Sequence, residues 1–247
     1  MITLYQFQFS HYCEKVRWAL EYKSIPYTRE NLLPGFHREV SLRLAPKSCL
    51  PIIVDEGAVV QDSTAIVTFL DEKYPHRSLT PRNAPQANEA WEWEEYLDEE
   101  LGVSLRLWFY YHALPDDERA LRFLLDGAPS SAHAGFIAKF PDIRTIMLQR
   151  MNIHAASALE SEERVVAALG RLERALVHRP FLVANGFSRA DLTACALLSQ
   201  VWLPGRSDEE VAATLPEAVV RFREEHKASR TFEWVSDTYR RYRQPLQ

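Results

Sequence analysis

Apolar and polar positions change period twice within the first thirty residues. Ile2 to Phe7 is β-rich and apolar on both faces, as in a strand whose sheet is covered on both sides. From Cys13 the period lengthens. Cys13, Val16 and Leu20 fall at i, i+3 and i+7, with Glu14, Arg17 and Glu21 elsewhere, which predicts a helix burying one stripe. The extended piece "IPYTREN" follows, so the order reads βαβ. Pro51 to Val54 and Ala58 to Val60 then read as strands around a Glu56-Gly57 turn. Ser63 opens a helix with Ile66, Phe69 and Leu70 on one side. Residues 1–76 thus spell β-α-β followed by β-β-α.

The stretch "PHRSLTPRNAPQ" holds Pro75, Pro81 and Pro85 and has no periodicity, so a linker is expected over 77–89. Beyond it strand signals vanish. Leu97, Leu101, Leu105 and Trp108 keep helical spacing, as do Val165, Leu169, Leu172 and Leu176. "ADLTACALLSQVWL" is apolar on nearly every face and suits a helix at the centre of a bundle. The expected architecture is an α/β domain over 1–76 and an all-α domain over 90–247, without internal repeats.

Composition narrows the classes. Of 247 residues 47% are hydrophobic and 26% charged, which is globular. A net charge of −5 argues against nucleic acid as the main partner. No apolar run reaches the roughly 18 residues of a membrane span. "MITLYQFQFS" lacks a basic leading segment and a small-residue cleavage site, so no secretory signal is expected. Cys13, Cys49 and Cys195 are too few and too scattered for a disulfide framework or a zinc site. A reducing cytosol is the expected compartment.

Three places carry candidate chemistry. Ser10 stands at the first strand-to-helix junction, where unpaired N–H groups and the helix dipole favour an anion. It reads as an N-cap, or as a hydroxyl donating to a thiolate. Cys13, on the buried stripe, reads as a small hydrophobe. Leu50-Pro51 opens an apolar strand; a cis bond there would leave the Leu50 backbone free to pair with an extended peptide. Gln61-Asp62-Ser63 closes the hairpin. Ser63 at a helix N-terminus suits a carboxylate and Asp62 an ammonium, together an α-amino-acid head group, although a cap with a nearby acid is a common arrangement.

In order, these stretches resemble the cytosolic glutathione transferase family over nearly the whole chain. "SHYCEKVRWAL" looks like that family's catalytic loop and first helix, with Ser10 where the serine-type classes carry the catalytic serine. Leu50-Pro51 resembles its cis-proline, and "QDSTAIVTFLDEKYP" its glutathione-binding segment. "GFSRADLTACALL" resembles its capping box, Ser188 as cap and Asp191 reaching back. Asp62 is one methylene shorter than the usual Glu, and Ala45-Pro46 stands where Asn-Pro is frequent. His37, Arg38 and Lys47 are all candidates for holding the glycine carboxylate. No class is assigned.

The resemblance implies a thioredoxin-like domain joined to a helical bundle, and a cytoplasmic homodimer using glutathione as co-substrate without metal. Glutathione would lie along Leu50 and Pro51, with its γ-glutamyl end on Asp62 and Ser63 and its glycine end near His37 or Lys47. The electrophile pocket is expected from Phe9, Trp108 and Tyr111, with Phe7, Trp234 and Tyr239 as further aromatics. Lowering a thiol pKa from about 8.5 to about 6.5 takes near 2.7 kcal/mol. A helix terminus supplies up to ~2 kcal/mol and a hydrogen bond to a charged group ~1.5–3 kcal/mol. Two other readings remain at this stage: a binding or stress protein without turnover, and a glutathione-dependent thiol-disulfide oxidoreductase or peroxidase working through Cys13.

Overall fold

In a computed structural model, residues 1–183 and 186–243 are described. β1 (Ile2–Gln6) buries Ile2 and Leu4 and is followed by α1 (His11–Tyr22), β2 (Tyr27–Asn31) and α2 (His37–Leu44). Next come β3 (Ile52–Asp55), β4 (Ala58–Gln61) and α3 (Ser63–Lys73). The sheet order is β2-β1-β3-β4, with β1 and β2 parallel and the other two pairs antiparallel. Glu56 and Gly57 take φ of 51° and 88°, the paired left-handed residues of a tight hairpin. The fold of this half is thioredoxin-like.

Two local expectations need correction. α2 was not anticipated from the pattern, because only Ser41 of its eight residues is fully buried and no apolar stripe announces it. α1 buries far more than one stripe. Lys15, Arg17 and Glu21 are 0%, 5% and 6% exposed beside Cys13, Val16 and Leu20. A second layer of helices covers the side that sequence alone assigns to solvent.

The helical half begins with α4 (Ala84–Tyr96), which starts inside the stretch expected to be linker. The Asn83 side chain caps the Gln86 N–H at 3.2 Å. Pro85 sits in the first turn, where its missing N–H has no helical partner to lose. A six-residue π segment (Leu97–Gly102) leads into α5 (Val103–Ala113). A side chain at Gly102 could not fit, since a Cβ there would lie 2.4 Å from the Tyr12 hydroxyl. That hydroxyl donates to the Asp98 carbonyl at 2.6 Å. Leu97, Leu101, Leu105 and Trp108 are all buried, as their spacing predicts.

α6 (Asp117–Leu124), α7 (Ser130–Arg150) and α8 (Ala155–Ala175) follow. α9 (Arg189–Trp202) is buried almost throughout, and α10 (Asp208–Thr214), α11 (Glu217–His226) and α12 (Arg230–Tyr242) complete the bundle. Ser188 and Asp191 form the expected capping box. The Asp191 carboxylate accepts from the Ser188 N–H and hydroxyl at 2.9 and 2.8 Å and from the Leu182 N–H at 2.8 Å. Burial pushes this carboxyl up to about 6 despite three donors.

A buried ionic network joins the halves. Lys15 of α1 meets Glu94 and Asp98 at 2.7 Å each. Arg189 of α9 pairs with Glu94 and donates to Thr80 and Thr68 at 3.1 and 3.2 Å. Two cations balance two carboxylates, so the interior carries no unpaired charge here.

Candidate functional site

Strand register gathers the candidate residues. Tyr5 of β1 pairs with Ile52 of β3, and Ile52 pairs with Gln61 of β4. Ser10 after β1, Leu50-Pro51 before β3 and Asp62-Ser63 after β4 therefore emerge at one end of the sheet. β2 runs parallel to β1 and ends there too, bringing in α2. The His37 ring meets Phe7 edge-on at 4.9 Å. Gln61 anchors the preceding loop, accepting from the Lys47 N–H at 3.2 Å and donating to the Lys47 and Cys49 carbonyls at 2.7 and 2.8 Å.

Ser10 is the N-cap of α1, its Oγ accepting from the Cys13 N–H at 3.3 Å. That bond occupies an acceptor lone pair and leaves the hydroxyl proton free to donate. Capping and donation to an anion are thus compatible. Cys13 is fully buried and burial pushes its thiol up, which disfavours the thiolate.

The Leu50-Pro51 bond is cis. The Pro51 carbonyl accepts from the Asp62 N–H at 3.2 Å, tying this bend to the start of α3. Asp62 has φ 91° and ψ 134°, a region costly for a residue with a side chain. Its Oδ1 caps α3, accepting from the Thr64 and Ala65 N–H groups at 2.9 and 3.1 Å. Ser63 is the first helical residue, as its place in the sequence predicts, and is 3% exposed. The remaining Asp62 oxygen has no hydrogen-bond partner among the described residues.

The three basic candidates differ. Burial lowers the His37 imidazole to about 4, so it is neutral at neutral pH and could hold a carboxylate only by donating N–H. Arg38 donates to the Ser48 hydroxyl at 3.0 Å. Lys47 is exposed and makes no salt bridge among the described residues.

On the other side of Ser10 a cavity of about 310 Å³ opens toward the helical half. Phe9 lines it, but Trp108 and Tyr111 do not. Trp108 is 2% exposed and packs against Phe222 and His112, at 4.9 and 5.3 Å. Tyr111 lies edge-on to His112 at 5.0 Å. The run 107–112 does reach the cavity, through Phe109. Helical rotation sends neighbours in such a run to different sides, and a segment apolar all round does not reveal its phase. Phe7 stacks on Phe9 at 5.3 Å, while Tyr239 packs on Trp18 at 4.3 Å and Trp234 donates to the Pro180 carbonyl at 2.9 Å, both outside the cavity. Phe123 of α6, Gln200 of α9 and Arg206 after it are lining residues that sequence reasoning missed. No local signal marks them, since packing between distant helices brings them here.

Among the described residues no helix is long and apolar enough to cross a membrane. Among the described residues no three His, Cys, Asp or Glu side chains group as a metal site.

A thioredoxin-like sheet with a helical bundle behind it, and a capped helix start between them, defines the class: a glutathione transferase fold. Residues 4–78 match the family model for the glutathione S-transferase N-terminal domain. A stringent starvation protein A homologue of Haemophilus ducreyi is 39% identical over 28% of this chain and 33% of its own length. The chain thus spans about a third of the length of the first curated relatives it matches. The β-etherase LigF of Sphingobium sp. strain SYK-6 superposes with a TM-score of 0.62 at 19% identity, covering 96% of this chain and 99% of that one. A glutathione S-transferase of Methylobacterium radiotolerans, solved with glutathione sulfonate, superposes with a TM-score of 0.59 at 19% identity over 94% and 92%. At that identity the likenesses establish the fold.

Proposed function

We propose that the protein is a glutathione transferase that activates the glutathione thiol at Ser10 for attack on an electrophile. One observation carries the reading: Ser10 stands between the sheet end holding Leu50, Pro51, Asp62 and Ser63 and a cavity large enough for a small molecule. Glutathione runs along the Leu50 backbone, its γ-glutamyl ammonium on the free oxygen of Asp62 and its glycine end toward Lys47 or the neutral His37. Its sulfur reaches the start of α1, where the Ser10 hydroxyl donates to the thiolate and the helix dipole adds to it. The thiolate attacks an electrophilic carbon, forming a C–S bond while a leaving group departs or a double bond accepts the electron pair. The neighbour solved with glutathione sulfonate supports the choice of co-substrate. We further propose a cytoplasmic homodimer; a single species near 28.6 kDa in sedimentation would overturn the dimer.

The stringent starvation homologue favours a second reading, a binding protein that holds glutathione without turnover. A route through Cys13 is opposed by its burial. Thiolate absorbance titrations with glutathione bound separate the three readings. Ser10→Ala should raise the bound thiol pKa by about one to two units, from a charged hydrogen bond of ~1.5–3 kcal/mol. Cys13→Ala should leave it in place. The reverse pattern would put the chemistry on Cys13, and glutathione binding without turnover of chlorodinitrobenzene would favour the second reading.

A further inference from the structure

We infer that the cavity beside Ser10 selects flat apolar ligands that carry a carboxylate. Its wall is sorted by chemistry. Phe9 and Phe123 form an apolar part, their rings 5.5 Å apart and close to perpendicular. Arg17, Arg119, Arg122 and Arg206 stand around them, against only Glu14 and Asp126. The chain as a whole carries a net charge of −5, so a cationic cavity is not a reflection of its composition.

How each arginine is already engaged decides what remains for a ligand. Arg17 is committed inside the protein, with Nε on Glu14 at 2.8 Å and Nη1 on Gln6 at 2.6 Å. Arg119 and Arg122 donate to the Leu215 and Ala213 carbonyls, which positions their guanidinium groups without neutralising them. Their acidic partners, Asp116 and Glu118, are 51% and 85% exposed. Exposed pairs of this kind are weak and yield to a better-placed anion. Arg206 is exposed and has no salt bridge among the described residues. On the acidic side, Glu14 is held by Arg17 and Arg243, leaving Asp126 as the counter-charge.

A guanidinium presents two parallel N–H donors that match a carboxylate. The two phenylalanine rings offer an edge and a face to a flat body. The inference rests on the transferase reading for the reaction that follows, but not for binding. Calorimetric titration of the full chain, without glutathione, with dinitrobenzoate and with neutral dinitrobenzene therefore tests it directly. Dinitrobenzoate should bind at least about tenfold more tightly, the gain of one charge-assisted contact. The ratio should fall toward one in Arg122→Gln/Arg206→Gln and be largely kept in Arg122→Lys/Arg206→Lys. Arg206→Gln alone, which has no internal partner to lose, should lower the ratio if the double variant fails to fold. Equal binding of the two probes by the wild type, or an unchanged ratio in the glutamine variants, would overturn the inference. Turnover of chlorodinitrobenzoate with glutathione is then measured separately. Preference in binding without turnover sinks the transferase reading alone, and turnover of chlorodinitrobenzene without any preference sinks this inference alone.

Discussion

Ser10 divides two regions built in different ways. On the sheet side the candidate residues follow one another closely along strands whose register is set by backbone pairing: Ser10 after β1, Pro51 before β3, Asp62 after β4. The decisive features are backbone ones, a cis bend, a helix cap and a residue at φ 91°. On the helical side the cavity takes one or a few side chains from each of α1, α5, α6 and α9 and from the segments around α10. The first region is a property of a short stretch of chain, whereas the second exists only once distant helices have packed.

The strongest test of how the regions depend on each other is the network between them. Glu94→Ala leaves Lys15 and Arg189 buried without their shared partner. It should cost about 3–5 kcal/mol, as loss of one member of a buried ion pair does. Urea unfolding followed by tryptophan emission and by circular dichroism should still show one coincident transition. A loss under about 1 kcal/mol would show that water reaches the cluster.

Within the helical half, Asp191→Ala should come next. It strands the buried Leu182 and Ser188 N–H groups, at about 2–4 kcal/mol for two unsatisfied donors. Equilibrium denaturation measures it.

Acid should act on the two halves with opposite sign. Burial lowers His11 of α1 to about 3, while its Nδ1 lies 2.6 Å from the Gln200 side chain. Between its unfolded value near 6.5 and that low folded value, the unfolded chain binds the extra proton, so stability falls as pH falls. Asp191, raised to about 6, binds its proton first in the folded state and so adds stability as pH falls from 6 toward 3.8. His11→Asn, which can keep the contact to Gln200, should remove on the order of 2 kcal/mol of the loss between pH 7 and pH 5. An unchanged pH slope in that variant would show that His11 is charged in the fold.

On the sheet side, Asp62→Ala should raise the glutathione Kd about tenfold, the value of one modest charge-assisted contact. Its capping loss should be about 1 kcal/mol and should be present without ligand. A stability loss with unchanged glutathione affinity would reduce Asp62 to a cap. The smallest effect belongs to Ser188→Ala, about 1 kcal/mol. It should be less than additive with Asp191→Ala, because the two share one capping box.

The order of strands and helices, the hairpin turn, Ser10 at a helix start and the Ser188-Asp191 box were legible because each depends on neighbours a few residues apart. The same locality explains the errors. Pro75 to Pro85 read as one linker, although Asn83 caps α4 inside it and Pro85 fits the first turn. α2 escaped notice because an exposed helix needs no apolar stripe.

What the sequence by itself determined is therefore the succession of elements and the chemistry at their ends, since capping, turn formation and periodicity act within a few residues. Tertiary structure alone decided that His37 is half-buried and neutral, and that Lys15 and Arg17 lie in the interior among partners. It also decided that Phe109 and not Trp108 faces the cavity, and that four arginines stand among three phenylalanines there. The physical reason is common to all of these: exposure, charge state and helix phase depend on what packs against a residue, and a partner such as Glu94 for Lys15 lies far away along the chain.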